Sequence, residues 1–280
     1  MIAFGYPPTL IKFTYSYLQN RHLIVTLERA KSTKRKAKAG VPQGSVLGPE
    51  LFIIFINDIP KYAKTNTALF ADDLAIYAHS FSAIVAAKQL QTHIYILEKY
   101  YKDWKIIVNK AKTEVIILTR KRKDNKIFQP ITVYGHPTTP AYTVKYLGVH
   151  FDSKLTYYMH IKNIIKKAYS VIKKLYPLMV NDSPLTVDNK KLIYKMLLRP
   201  IITYAAPVWC SVAKSHLKHL QILHNKCLRM ILSVNRYTPI TFLHDESEIE
   251  LIGDYIKGLV EKFYQNQLES NRLLHIALLV

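Results

Sequence analysis

At Asp152 the spacing of apolar residues changes, and that change constrains the fold more than any other feature of the chain. Beyond it, Ile161, Ile164, Ala168, Ile172 and Leu175 recur at intervals of three and four, which puts them on one helical face. Leu192, Met196 and Leu198 suggest a second helix, which Pro200 should end or kink because proline removes a backbone donor and crowds the preceding turn. Leu217, Leu220, His224, Leu228 and Ile231 predict a third. Before Asp152 most apolar runs are short. Leu23, Val25 and Leu27 alternate, and residues 106–108, 115–119, 131–134 and 144–149 read as strands. Three helices interrupt them: a short one carrying Leu10, Phe13, Tyr17 and Leu18, one with its apolar body from Leu51 to Ile56, and a long amphipathic one from Ile84 to Trp104. The expectation is an α+β domain joined to a mainly helical one near residue 155.

Charge narrows the function classes. The chain of 280 residues carries 40 Lys and Arg against 19 Asp and Glu, a net charge of +21, while 49% hydrophobic residues suffice for a packed core. Such an imbalance favours a polyanionic partner, nucleic acid before an anionic membrane surface. Lys31, Lys34, Arg35, Lys36 and Lys38 form one basic stretch, and Arg120, Lys121, Arg122 and Lys123 another. Both are candidates for phosphate contacts, which need charge rather than a particular sequence; the alternative is a pair of solvated loops. No apolar run is long enough to cross a bilayer, and the first residues have no basic region followed by a long apolar one. Cys210 and Cys227 stand too far apart in sequence for a disulfide scaffold or a zinc site. The expectation is an intracellular protein, nuclear or cytoplasmic, in a reducing compartment, without a membrane or a disulfide-linked partner.

Two motifs carry possible chemistry. Residues 67–71 and 74–77 are apolar runs separated by Asp72 and Asp73, the profile of a tight hairpin with a polar tip. Paired carboxylates in an apolar setting are costly unless something compensates them. Two magnesium ions roughly 3.5–4 Å apart, activating a hydroxyl and holding leaving oxygens in phosphoryl transfer, would do so. Asp72 is the expected direct ligand and Asp73 its neighbour, because successive side chains in a strand face opposite ways. An acidic hairpin tip is also an ordinary surface feature. The second motif is Ala39-Gly-Val-Pro-Gln-Gly-Ser45, in which Gly40 and Gly44 permit tight turns while Gln43 and Ser45 can reach a base or sugar. Its alternative is a loop that caps the helix beginning near Pro49.

In order and spacing, residues 39–49, Asn57-Asp-Ile-Pro60, Phe70-Ala-Asp-Asp73, Asn109-Lys-Ala-Lys-Thr113, Lys145-Tyr-Leu-Gly-Val149 with Asp152, Tyr194-Lys195, Leu198-Arg-Pro-Ile-Ile-Thr-Tyr204 and Val208-Trp209 resemble the reverse transcriptases of non-LTR, LINE-type retrotransposons, especially the jockey-like group of insects. The resemblance covers nearly the whole chain. It implies RNA-directed DNA polymerisation with Mg2+ (or Mn2+), an RNA template, a DNA primer and deoxynucleoside triphosphates. It implies a lead-in over residues 1–39, a partial polymerase palm (an antiparallel sheet with packed helices) over 40–154, and a helical thumb and C-terminal region over 155–280. Asp72 and Asp73 would be catalytic and metal-binding. Gln43, Gly44, Ser45 and Lys112 would position nucleotide and template, and Tyr146, Leu147 and Gly148 would grip the primer. The family also carries an earlier metal-binding aspartate on a separate palm strand, whereas here Glu28 is the only acid before Gly40. The expectation is therefore a truncated or degenerate reverse-transcriptase domain without turnover; the alternative is a non-catalytic remnant that keeps a basic nucleic-acid-binding surface. Lys112 reads alternatively as a solvated turn lysine, Tyr146 and Leu147 as core, Trp104 and Trp209 as packed, and His160 as a helix-start or packing residue.

Overall fold

The computed structural model describes residues 1–37, 39–119 and 130–278, with side chains as far as residue 268. The chain is a mixed α/β fold in which small sheets precede a helix-rich region. It packs as two units. The first contains Met1–Thr113 together with Ile131–Thr138; the second contains Glu114–Thr119 and Thr139 onward.

In the first unit, α1 (Pro8–Leu18) is followed by β1 (His22–Leu23), β2 (Thr26–Leu27), β3 (Ala30–Lys31) and β4 (Arg35–Lys36). These strands form two small antiparallel ladders, β1 with β4 and β2 with β3. Then come α2 (Leu47–Ile56), the hairpin β5 (Asn66–Phe70) and β6 (Asp73–Tyr77), and α3 (Ala83–Asp103). Apolar burial here is thin among the described residues: Ile56, Ala87, Leu97, Tyr100, Ile131 and Val133 are its buried hydrophobic side chains. Polar links from α3 compensate. The fully buried His93 donates through Nε2 to the Pro60 carbonyl at 3.0 Å and pairs through Nδ1 with the Thr65 hydroxyl at 2.7 Å. Two turns later, the Tyr100 hydroxyl donates to Asp58 at 2.7 Å. Two residues from α3 thus fix the Asn57–Pro60 turn after α2, and buried polar groups so paired avoid the desolvation cost of orphaned ones. Gln91 makes a two-point bridge to the backbone of Thr132, and Glu98 accepts from the Tyr134 amide, which holds β8 (Ile131–Val133) and β9 (His136–Thr138) against the same helix.

The second unit opens with β7 (Val115–Ile116), which pairs in parallel with β10 (Pro140–Ala141), followed by the hairpin β11 (Thr143–Tyr146) and β12 (Val149–Asp152). Helices follow: α4 (Tyr158–Met179), α5 (Val187–Ile193), α6 (Arg199–Ile202), α7 (Ala206–Trp209), α8 (Lys214–Leu232), α9 (Ile240–Ser247) and α10 (Ile252–Leu278). The main core lies here. Ile161, Ile164, Ala168 and Ile172 of α4 pack with Leu220, Leu223, Leu228 and Ile231 of α8 and with the fully buried Trp209. Asp152 organises the turn into α4. Its Oδ1 accepts from the Lys154 and Thr156 amides at 3.1 and 3.0 Å, and its Oδ2 from the Thr156 hydroxyl and Tyr157 amide at 3.0 and 2.7 Å. Leu155 and Tyr157 on this turn take positive φ, a conformation that those four bonds help to hold.

Four expectations are corrected. Residues 106–108 are not a strand: Ile107 is 95% exposed and the segment is irregular after α3. Trp104 closes α3 at the surface, 41% exposed, with its ring edge-on to Phe55. Leu192, Met196 and Leu198 do lie on one helical run, which includes a π-helical turn over Tyr194–Leu198, with Leu192 and Met196 exposed. Tyr194, Leu198 and Ile202, spaced by four, are buried instead, and Pro200 starts α6 rather than ending a helix. Finally, the strands among the described residues form separate two-stranded ladders, five antiparallel and one parallel, rather than one antiparallel sheet.

Candidate functional site

The hairpin of β5 and β6 presents the paired acids because its register ends at Phe70 opposite Asp73, leaving Ala71 and Asp72 as a two-residue loop. Asp72 and Asp73 are both exposed. Cross-strand partners share a face of the ribbon, so Asp73 lies beside the Phe70 ring, itself 64% exposed. Ala71 adopts φ 50°, a left-handed conformation in which its Cβ is strained. Asp72 therefore sits in the tight loop, and Asp73 opens β6 beside it.

As a metal site the tip is half-equipped. Carboxylate oxygens are hard donors suited to Mg2+. Among the described residues, however, no group of three or more His, Cys, Asp or Glu side chains comes together to hold an ion. A two-metal arrangement requires further bridging oxygens to balance four positive charges and fix the ion spacing. The residues present do not complete it, and no reaction step follows from the pair alone.

The glycine-rich turn lies in the same unit. Gly40 and Gly44 both take φ 78°, the backbone freedom the sequence anticipates. The Ser45 hydroxyl accepts from the Gly48 amide at 2.9 Å, a capping bond three residues along that satisfies a free N–H of α2. Gly48 has no room for a side chain: a Cβ there would meet the Pro42 carbonyl at 2.9 Å. Gln43 and Gly44 remain exposed at the crest of the turn. Sequence reasoning missed Arg21. Its guanidinium donates to the carbonyls of Leu18, Ala39 and Gly40, clamping the start of the turn to the end of α1. Only the three-dimensional return of the chain reveals that contact, since side chain to backbone bonds across eighteen or nineteen residues leave no periodic trace.

Lys112 ends a single 3-10 turn over Lys110–Lys112 and is exposed. Lys31, Lys34, Arg35 and Lys36 are exposed as well, with Arg35 and Lys36 in β4 opposite Leu23 and His22. Lys38, Arg120, Lys121, Arg122 and Lys123 lie outside the described residues.

In the second unit, Leu147 and Gly148 form the two-residue loop of the β11–β12 hairpin, with φ 45° and 81°. Positive φ at both positions matches the right-handed twist of the strands. Tyr204 closes over this loop. Its hydroxyl donates to the Leu147 carbonyl at 2.8 Å, and a Cβ at Gly148 would lie 3.0 Å from its ring. Tyr146 and Leu147 are half-buried, so neither is fully core nor fully presented. His160 is buried near the start of α4 and pairs with Trp209, ring centroids 5.9 Å apart. Burial, and then the neighbouring His150, push its pKa down to about 4, which keeps the ring neutral at physiological pH.

A family model for "Reverse transcriptase (RNA-dependent DNA polymerase)" matches residues 1–151. The chain is 32% identical over 262 residues to the "Probable RNA-directed DNA polymerase from transposon X-element" of Drosophila melanogaster, covering 92% of this chain and 28% of that protein. It is 29% identical to the "RNA-directed DNA polymerase from mobile element jockey" of Drosophila funebris, across 92% of this chain and 29% of that protein. Identity is 30% to the "Probable RNA-directed DNA polymerase from transposon BS" of Drosophila melanogaster, across 89% and 28% respectively. The chain thus spans less than a third of the length of these curated relatives.

Proposed function

The chain belongs to the reverse transcriptases of non-LTR retrotransposons, and on that premise we propose that it supplies the acidic hairpin and basic body of an RNA-directed DNA polymerase, binding nucleic acid without turning over alone. In this reading residues 40–154 are palm and residues 155–280 thumb. Asp72 and Asp73 are the metal-facing carboxylates of nucleotidyl transfer, with Mg2+ as the ion. Gln43, Gly44, Ser45 and Lys112 face nucleotide and template, and Tyr146, Leu147 and Gly148 the primer end. The partners are an RNA template, a DNA primer and deoxynucleoside triphosphates.

One observation carries the reading: two adjacent carboxylates are exposed at a tight hairpin tip, with no third metal-ligating side chain grouped with them among the described residues. Exposed, adjacent carboxylates support the metal-facing assignment, yet the donor set among the described residues falls short of a two-metal cage. A net charge of +21 favours retained nucleic-acid binding.

Primer extension on a primed RNA template, run in Mg2+ and in Mn2+ with a template-free control, tests this. The expected result is binding of the primed template without extension. Template-dependent extension that disappears in Asp72→Asn would keep the catalytic assignment and overturn the inactivity. Extension unaffected by Asp72→Asn would overturn the catalytic assignment itself.

A further inference from the structure

Two hydroxyls stand side by side in the first basic stretch, within Arg29-Ala-Lys-Ser-Thr-Lys-Arg-Lys36, and the structure separates their roles. Ser32 is committed to the end of the β2–β3 ladder. Its amide donates to the Val25 carbonyl at 2.9 Å, its Oγ accepts from the Val25 amide at 2.9 Å, and its hydroxyl donates to the Thr33 carbonyl at 3.1 Å. The side chain stands in for a ladder carbonyl, with its one donor and an acceptor site both in use. Thr33 is placed differently. It lies in the link between β3 and β4, outside either strand, and is exposed. Its hydroxyl makes no hydrogen bond among the described residues.

The surroundings of that free hydroxyl are uniformly cationic. Arg29, Lys31, Lys34, Arg35 and Lys36 all lie within four residues of Thr33 and are exposed, and residues 29–37 contain no acid. None of these cations takes part in an ion pair found among the described residues. A free hydroxyl on an exposed, cation-flanked link suits a protein kinase with an acidic substrate groove, because such enzymes read the charge pattern around the acceptor. The same cations would hold the product. A phosphate carries about −1.5 to −2 charges at pH 7 and three strong acceptor oxygens, to which neighbouring Lys and Arg side chains donate.

We propose that Thr33 is a phosphorylation site for a serine/threonine kinase that selects basic substrates, and that phosphate there loosens the chain's hold on nucleic acid. In the transfer, Thr33 Oγ1 bonds to the γ-phosphorus of ATP as the bond from that phosphorus to the β–γ bridging oxygen breaks. ADP leaves, and the hydroxyl proton passes to the kinase's catalytic carboxylate. The effect on binding rests on the nucleic-acid reading above; the modification site does not. The added group cancels about two positive charges in place. Cations that pair with it are withdrawn from the backbone of a bound strand, so fewer counterions are released on binding.

The test incubates the full chain and Thr33→Val with Mg2+, ATP and the catalytic domain of a kinase that prefers basic substrates, and reads the modified position by fragment-ion mass spectrometry. Thr33 is exposed and its hydroxyl unpartnered, so Thr33→Val leaves the fold intact. The expected result is phosphate on Thr33 of the wild type. Phosphate on Ser32 instead, or on neither residue, overturns the site. Binding of a fluorescently labelled primed oligonucleotide is then followed by anisotropy across a salt series. The phosphorylated chain is expected to lose about 1.5 from the slope of log K against log salt, which is about thirty-fold in affinity over a ten-fold range of salt. Kinase-treated Thr33→Val should bind as the unmodified wild type does; an equal loss in that variant assigns the effect to another position and overturns the role of Thr33. Unchanged affinity and slope with Thr33 fully phosphorylated overturns the control of binding and spares the nucleic-acid reading. A chain that ignores the oligonucleotide in both forms overturns that reading and the control together, while the mass spectrum alone decides the site.

Discussion

The Tyr204 hydroxyl donates to the Leu147 carbonyl across a separation of 57 residues, and its ring lies where a Cβ on Gly148 would have to go. The β11–β12 loop is thereby fixed from outside by one side chain. Gly148→Ala should destabilise the chain by about 2–3 kcal/mol, combining a left-handed alanine with a contact too close for the ring. In a Tyr204→Ala background the steric part vanishes, and the same substitution should cost only about 1–2 kcal/mol. Urea midpoints for the two single variants and the double variant test this coupling. Strict additivity would show that the ring does not constrain the loop.

Asp152 makes the turn into α4 pH-sensitive. Burial by itself would raise its carboxyl pKa, but hydrogen bonds from the Thr156 amide and hydroxyl and from the Tyr157 and Lys154 amides outweigh it and hold the group below its usual range. A depressed native pKa contributes stability that is complete above the unfolded carboxyl value, about 4, and is lost as pH falls through the native value. Asp152→Asn should therefore cost about 1–3 kcal/mol at neutral pH. That deficit should shrink toward zero as both proteins are unfolded at progressively lower pH. A deficit independent of pH would mean that the charge is not what those four donors need.

Ala71 is strained where the acidic tip turns. Replacing it with glycine relieves a left-handed cost of roughly 1–2 kcal/mol and adds a backbone entropy cost of roughly 0.5–1 kcal/mol. Ala71→Gly should leave the β5–β6 register intact and slow amide exchange modestly at Leu69 and Leu74, the cross-strand pair next to the tip. Faster exchange at both would show that the alanine is not strained in solution.

Much of this architecture is legible in the sequence where one strong period governs. The stripes in α4 and α8 are long enough to survive single exceptions, and the two apolar runs around Asp72 and Asp73 are joined by a polar tip. The failures have physical causes. Residues 106–108 are β-branched and apolar, yet no strand among the described residues offers them a ladder, so propensity goes unanswered. His93 and Tyr100 are invisible as anchors because apolar spacing records where a side chain is buried, not which polar atom its tip will meet. The same limit hides Arg21 and Tyr204, whose partners are backbone carbonyls far along the chain.

The basic stretch before the glycine-rich turn leads to the last prediction. Arg35 and Lys36 sit on a short ladder with their side chains exposed, and Lys31 and Lys34 are exposed beside them. Neutralising Lys34, Arg35, Lys36 and Lys38 together removes no side chain known to be buried, so thermal stability should be little changed. Each lost phosphate contact removes about 0.7–0.9 from the slope of log K against log salt, because fewer counterions are released on binding. The quadruple alanine variant should therefore bind a primed template more weakly at low salt and lose up to roughly 3 in slope. The difference between variant and wild type should narrow as salt rises, since screening removes the same interaction that the substitutions remove. Weaker binding with an unchanged slope would point to a fold defect rather than lost phosphate contacts, and an unchanged affinity and slope would take this stretch out of the footprint.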